Sequence, residues 1–157
     1  MRQRGFTLIE LMITVAIVGV LALGAVPLAK LGAQRVREND LRAALRDIRT
    51  ALDAYKLAVD VGRVKSDADK SGYPPQLELL VNGVEDARDP EHKKMIYFMR
   101  RLPRDPFFTD PSVPAAGTWG LRSYDSPPDA PAAGDDVYDV YTMAPGTGLN
   151  GIPYRDW

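Results

Sequence analysis

Glu10 is the only charged residue in an otherwise apolar run that extends from Phe6 to Ala29. An acidic side chain at the centre of a membrane-spanning helix costs about 2.5–3.5 kcal/mol on insertion scales for the related Asp. A carboxylate in such a run is either a charge tolerated near the membrane interface or a group that pairs with a positive charge. The apolar run alone leaves both alternatives open.

His92 is the only histidine, and the chain has no cysteine. Ser-His-Asp catalysis or a multi-histidine metal site would have to be built around this single imidazole. His92 lies among Glu91, Lys93 and Lys94, a setting typical of a solvated side chain. The sequence therefore gives no support for nucleophilic catalysis, a disulfide framework or a cysteine-ligated zinc ion.

The acidic groupings of interest are Asp135 and Asp136 with Asp139, and Asp125 with Asp129. Each group lies beside Gly or Pro in loop-like sequence, which favours turn-forming, solvated acids over an active site. We expect no enzymatic activity. We also expect no metal site, with Asp135, Asp136 and Asp139 as weak candidates for one.

Residues 11–29 carry no charge. Nineteen helical residues at about 1.5 Å each span roughly 28 Å, close to the thickness of a bilayer core. Arg2 and Arg4 precede the segment, so the positive-inside rule predicts a cytoplasmic N-terminus and export of everything after Lys30. A secretory signal peptide cut near residues 22–24 and a plain signal anchor are alternatives. The formal net charge of −1 argues against a nucleic-acid binder.

The helix is predicted to continue beyond the apolar segment, because apolar residues recur at alternating spacings of four and three. Residue 6 to residue 59 as one helix would span about 80 Å. Pro27 should kink it or open it locally, and Gly62 is a natural stop. The predicted apolar stripe is Leu41, Leu45, Ile48, Leu52, Tyr55 and Val59, and the predicted solvated face is Arg42, Arg46, Asp47, Arg49, Asp53 and Lys56.

The stretch after the long helix begins with "SGYPPQLELLV", a turn followed by a short helix with Leu77, Leu80 and Val81 facing inward. The segment "NGVEDARDPEHKK" is predicted to be a loop. Pro103 and Pro106 exclude helix from "RRLPRDPF", and Asp105 before Pro106 suits a turn.

Two strands are predicted in the C-terminal half, at Thr118–Tyr124 and Val137–Met143. The tail after them is rich in Gly and Pro and should be ordered by Ile152, Tyr154 and Trp157. The predicted fold is therefore α+β: a long N-terminal helix, half membrane segment and half amphipathic, packed on a small antiparallel sheet with an ordered C-terminal tail.

The stretch "RGFTLIELM" resembles the type III signal of type IV pilins and of the pseudopilins of type II secretion systems. In that family a short leader ends in Gly, prepilin peptidase cleaves after it, and the new N-terminus is methylated. The resemblance places the cut between Gly5 and Phe6 and makes Glu10 the fifth mature residue. "LPRDPF" followed by "WGLRSY" resembles the major pseudopilin in particular.

The resemblance implies a pilin-like protein made of a leader (residues 1–5), a transmembrane and assembly segment (6–30) and a periplasmic globular domain (31–157). It implies a single pass through the bacterial inner membrane and self-assembly into a helical filament. Its expected partners are other pseudopilins, prepilin peptidase and the inner-membrane assembly platform, with no nucleic acid. A type IV pilus subunit is the nearest alternative, and a membrane-anchored periplasmic protein of other function is another.

The resemblance also gives Glu10 a partner. After cleavage Phe6 carries a positive amine, and in a filament Glu10 can pair with the amine of a neighbouring subunit. Such a pair neutralises two charges that are each costly in an apolar environment and fixes the axial register.

Major pseudopilins often order their C-terminal loop around one Ca²⁺ with an acid-rich stretch. Calcium requires six to eight oxygen ligands, several of them usually carboxylates. The corresponding stretch here, "APGTGLNGIPYRDW", contains one acid, Asp156, and Asn150 would add little charge. We therefore expect no cofactor: the tail should be ordered mainly by packing of apolar residues and should not need calcium.

Overall fold

The computed structural model describes residues 6–67 and 69–157. Its first element, helix α1, is Leu8–Asp60, and this helix continues through Pro27. The described chain forms two compact units that divide between Arg37 and Glu38. The predicted boundary at residues 30 and 31 and the predicted kink at Pro27 stay predictions.

The N-terminal unit presents an apolar helix surface. The side chains whose burial is described are exposed from Phe6 to Ala33. Ile9 exposes 66% of its surface and Leu23 exposes 79%. A helix that is apolar on all sides requires lipid or other protein around it.

The unit Glu38–Trp157 has its core along the second half of α1. Of the predicted apolar stripe, five side chains are buried and Val59 is half-buried, which confirms the helical periodicity. The helix ends at Asp60, and Gly62 follows with a φ of 73°, a left-handed conformation that suits glycine at a helix end. The buried apolar side chains are Leu41, Ala44, Leu45, Ile48, Ala51, Leu52, Tyr55, Ala58, Val64, Leu77, Leu80, Trp119, Val137, Val140 and Tyr154.

The segment after α1 contains the short helix α2, Leu79–Asn82. Leu77 and Leu80 are buried as predicted, while Val81 is half-buried. The main-chain oxygen of Leu80 accepts hydrogen bonds from the N–H groups of Phe98 and Met99, both at 3.0 Å. These bonds fasten the following segment to the core.

A small sheet lies where the sequence predicted only a loop. Strands β1, Val84–Glu85, and β2, Met95–Ile96, pair antiparallel. The prediction of an unbroken loop from Asn82 to Lys94 was therefore wrong at its start. Two-residue strands are too short to show an alternating pattern.

The second sheet confirms the two predicted strands in shorter form. Strand β3, Trp119–Arg122, pairs antiparallel with β4, Asp139–Thr142. A single turn of 3₁₀ helix, Ala115–Thr118, leads into β3, and a second, Tyr154–Asp156, lies in the tail.

Candidate functional site

The N-terminus of α1 is a capping box formed by Thr7 and Glu10. The Glu10 carboxylate accepts hydrogen bonds from the Thr7 N–H at 2.9 Å and from the Thr7 hydroxyl at 2.7 Å. The Glu10 N–H in turn donates to the Thr7 hydroxyl oxygen at 3.3 Å. A Thr followed three residues later by Glu is the sequence signature of this motif, so "TLIE" could have revealed it.

The structure describes only one of the two residues at the predicted processing site. Gly5 and the leader, residues 1–5, lie outside the described residues. Phe6 is described, and its side chain is 86% exposed. The Glu10 carboxylate therefore lies in the first turn of a helix whose apolar side chains are available to lipid or to other subunits.

Within the described residues, α1 is the one helix long and apolar enough to cross a membrane. That finding rests on length and composition alone, and a signal sequence would meet the same criterion. The capping box adds a second feature of this helix: Glu10, the only charged residue of the apolar segment, is hydrogen-bonded to Thr7 at the helix N-terminus.

The predicted turn at Asp105 is a buried junction. The Asp105 carboxylate is 2% exposed; it accepts from the Phe107 N–H at 2.8 Å and from the Thr142 hydroxyl. The Asp105 N–H donates to the Thr118 hydroxyl oxygen at 3.1 Å. Asp105 therefore joins the proline-rich stretch to Thr118, which directly precedes β3, and to Thr142, the last residue of β4.

The weak metal candidates Asp135, Asp136 and Asp139 do not form one cluster of free carboxylates. Asp136 accepts hydrogen bonds from the Ser71 hydroxyl and, at 2.8 Å, from the Tyr124 N–H. Asp139 forms an ion pair with Arg49 at 2.7 Å, and Asp135 is exposed. Among residues 6–67 and 69–157, no group of three or more His, Cys, Asp or Glu side chains is placed to hold a metal ion.

The tail is anchored by two of its predicted side chains. Tyr154 is buried and packs against Phe107 and Trp157, with ring centroids 4.5 Å and 5.1 Å away. The prediction was wrong for Ile152, which is 47% exposed.

Glu38 is the functional residue that the sequence reasoning missed. It is 3% exposed, and one of its carboxylate oxygens accepts from the Leu149 N–H and the Tyr154 hydroxyl, both at 2.9 Å. Its position, three residues before Leu41, continues the spacing of the apolar stripe. A charged residue at a core position of a helix was the available signal.

Two arginines assigned to the solvated face of α1 also contact the tail. Arg49 donates to the main-chain oxygen of Trp157 at 2.8 Å. The Arg42 guanidinium lies 4.1 Å from the centroid of the Trp157 ring. Both arginines are half-buried, so the prediction of solvation was wrong for them.

Comparison with known proteins gives one consistent result. The family model "Prokaryotic N-terminal methylation motif" matches residues 1–26. The type II secretion system core protein G of Pectobacterium carotovorum is 32% identical over 87% of this chain and 83% of its own length. The protein of the same name from Dickeya chrysanthemi is 30% identical over 96% of this chain and 95% of its own. No solved structure matches the chain.

The long helix, the small antiparallel sheets and the methylation motif define a membrane-anchored protein of the pilin-like class. Relatives of the same name match over most of both chains. The chain belongs to the family of type II secretion system core protein G, the major pseudopilins. The family implies assembly with other pseudopilins, and a type IV pilus subunit is not favoured.

Proposed function

We propose that this chain is cleaved between Gly5 and Phe6, methylated at Phe6, and assembled through Glu10 into a periplasmic pseudopilus. The observation that carries the proposal is the Glu10 carboxylate in the first helical turn, beside an exposed Phe6. The match of the N-terminal methylation motif over residues 1–26 supports the processing step.

The capping box suggests how one carboxylate serves both before and after assembly. In the single chain, the Thr7 N–H and hydroxyl satisfy Glu10, and the helix N-terminus offsets its charge. In the filament, the methylated amine of a neighbouring subunit's Phe6 supplies the opposite charge. The carboxylate is then satisfied in both states, and a subunit out of register leaves two charges unpaired.

The proposed role is structural, with no chemistry performed by the chain itself. Orientation follows from Arg2 and Arg4, which favour a cytoplasmic N-terminus and a periplasmic Glu38–Trp157 unit. The proposed partners are further copies of this chain, other pseudopilins, prepilin peptidase and the inner-membrane platform. In support of a structural role, Asp136 and Asp139 are occupied by internal hydrogen bonds and an ion pair.

The test separates intermolecular pairing from helix capping. Glu10→Gln and Glu10→Leu should insert and be processed, but filament yield should fall at least about tenfold, since an unpaired buried charge costs about 3–5 kcal/mol. Thr7→Val is the matched control, because it removes the capping hydroxyl and leaves the carboxylate. It should assemble nearly as well as wild type. Equal defects in Thr7→Val and Glu10→Leu would show that Glu10 acts only as a cap.

A further inference from the structure

The C-terminal tail of this chain is poorly suited to the Ca²⁺ ion that its resemblance to major pseudopilins leads one to expect. Calcium requires six to eight oxygen ligands, several of them usually carboxylates. In the tail after Thr142 the only acid is Asp156, whose carboxylate lies 3.6 Å from the Arg155 guanidinium. The donor set of the tail therefore does not fit the ion.

Asp136 and Asp139, which precede the tail in the sequence, are already occupied. Asp139 is bound by Arg49, whose Nε lies 2.7 Å from one carboxylate oxygen. Asp136 is bound by the Ser71 hydroxyl and the Tyr124 N–H. Recruiting these carboxylates to a metal ion would require these contacts to be broken.

The tail loop is instead built around a carboxylate. The Thr147–Pro153 bridge closes the loop, and the Gly148 N–H donates to the Ile152 oxygen at 2.9 Å. The buried Glu38 carboxylate accepts from the Leu149 N–H and from the Tyr154 hydroxyl at 2.9 Å each. Here N–H and O–H donors converge on a carboxyl oxygen, whereas a calcium loop directs oxygen atoms at a cation.

Positive charge is supplied to the tail by arginine side chains. Arg49 donates to the main-chain oxygens of Trp157 at 2.8 Å and Val140 at 3.3 Å while it pairs with Asp139. The Arg42 guanidinium stacks over the Trp157 ring at 4.1 Å, an attractive cation–π arrangement. The planar fork of Arg49 can satisfy several oxygens from one side chain.

Trp157 also closes the loop by direct packing. A Cβ atom placed on Gly148 would lie 2.2 Å from the Trp157 ring, so the ring rests on the glycine backbone. The indole N–H donates to the Ile152 oxygen at 3.3 Å. The Trp157 ring thus covers the tail loop at Gly148, and a larger residue at position 148 would exclude the ring.

We propose that α1 orders the tail through Glu38, Arg49 and Arg42, and that this clasp replaces calcium in this member of the family. The tail is then bound to the helix by side chains encoded more than a hundred residues earlier, since Glu38 and Leu149 are separated by 111 positions. Order in this region becomes independent of the periplasmic calcium concentration.

The first experiment asks whether calcium binds. The full chain in detergent is melted with about 2 mM calcium or with excess chelator; this concentration exceeds the roughly 0.1–1 mM Kd of weak extracellular calcium modules. Equal melting temperatures are expected, and added Tb³⁺ should show no saturable luminescence sensitised by Trp157. A chelator-induced fall of about 4 °C or more, or stoichiometric Tb³⁺ binding displaced by calcium, would overturn the proposal.

The second experiment tests the clasp itself. Trypsin cleavage after Arg155 reports release of the tail, and Glu38→Ala should accelerate it about tenfold or more. Glu38→Gln retains an acceptor oxygen and should accelerate it less. Glu91→Ala is the matched control at an exposed acid and should cleave at the wild-type rate. Wild-type cleavage in Glu38→Ala would refute the clasp, and if that variant fails to fold, the calcium measurements on wild type still decide.

Discussion

Trp119 donates its indole N–H to the main-chain oxygen of Pro103 at 2.9 Å. The bond joins the first residue of β3 to the proline-rich stretch that precedes the sheet, and the Trp119 side chain is 3% exposed. Because Pro103 and Pro106 cannot donate main-chain hydrogen bonds, this stretch depends on side chains for its attachment. Two side chains provide that attachment: Trp119 donates to Pro103, and the Asp105 carboxylate accepts from the Thr142 hydroxyl.

Replacing Trp119 by Phe should destabilise the Glu38–Trp157 unit by about 1–3 kcal/mol. The change removes the donor to the half-buried Pro103 oxygen, and the smaller ring leaves space in the core. Urea denaturation followed by circular dichroism measures the loss. Trp157→Phe retains packing on a half-buried tail position and should cost less; a larger loss there than in Trp119→Phe would contradict this ranking.

Asp105→Ala should lower the free energy of unfolding by about 2–3 kcal/mol. It removes acceptors for the Phe107 N–H and the Thr142 hydroxyl in a buried site. Asp105→Asn should cost less, because the amide keeps one acceptor oxygen and can donate to the Thr142 oxygen. Asp110→Ala, at an exposed aspartate, is the matched control. Equal stabilities of Asp105→Ala and Asp110→Ala would refute the junction role.

The long helix was the most predictable element, because its alternating spacing of four and three encodes the buried face directly. Leu41, Ile48 and Leu52 are fully buried at the predicted positions. The positions of β3 and β4 were also predictable, since apolar and aromatic residues flank clear Gly and Pro breaks. Their lengths were overestimated because the ends of short strands carry no distinct pattern.

The tail clasp was less accessible to sequence reasoning. Glu38 and Arg49 appear on a helix surface as ordinary charged residues, and their partners lie 111 and 108 positions later in the chain. No local spacing encodes a contact at that separation. Only the coincidence of Glu38 with the apolar stripe gave a hint, and the Thr7–Glu10 spacing gave a comparable one for the capping box.

Asp86 should make stability depend on pH in the acidic range. The Arg63 guanidinium, 2.7 Å away, and the Arg88 N–H hold the pKa of the Asp86 carboxyl below its usual value. A lowered folded-state pKa means that the stabilisation is present above the unfolded pKa of about 3.9 and is lost as the pH falls through the folded pKa.

Asp86→Asn should therefore be less stable than wild type at pH 6; the difference should begin to shrink as the pH falls through about 4 and should disappear below the lowered folded-state pKa. Unfolding by urea across this pH range measures it. Asp129→Asn, at an exposed loop position, is the control and should show no such convergence. A difference between Asp86→Asn and wild type that stays constant with pH would rule out the ion pair as its cause.

Gly120→Ala should destabilise the β3–β4 sheet by about 1–3 kcal/mol. Gly120 lies opposite Tyr141, and a Cβ at Gly120 would approach the Tyr141 ring to 2.4 Å. The double variant Gly120→Ala/Tyr141→Ala should lose less than the sum of the two single losses, because the clash requires both side chains. Additive losses in this cycle would show that the ring does not set the requirement for glycine.

Processing gives the last prediction, which rests on the proposed cut between Gly5 and Phe6. Intact-mass analysis of the membrane-extracted chain should show loss of residues 1–5 and gain of one methyl group. Gly5→Leu should leave the precursor uncut, because a bulky residue replaces the small one at the cleavage site. Gly19→Leu is the matched control, since a Cβ at Gly19 meets no atom within 4 Å, and it should be cleaved normally. A mature chain that begins near Val26 would instead indicate ordinary signal-peptide cleavage; it would remove Glu10 and exclude the proposed assembly contact.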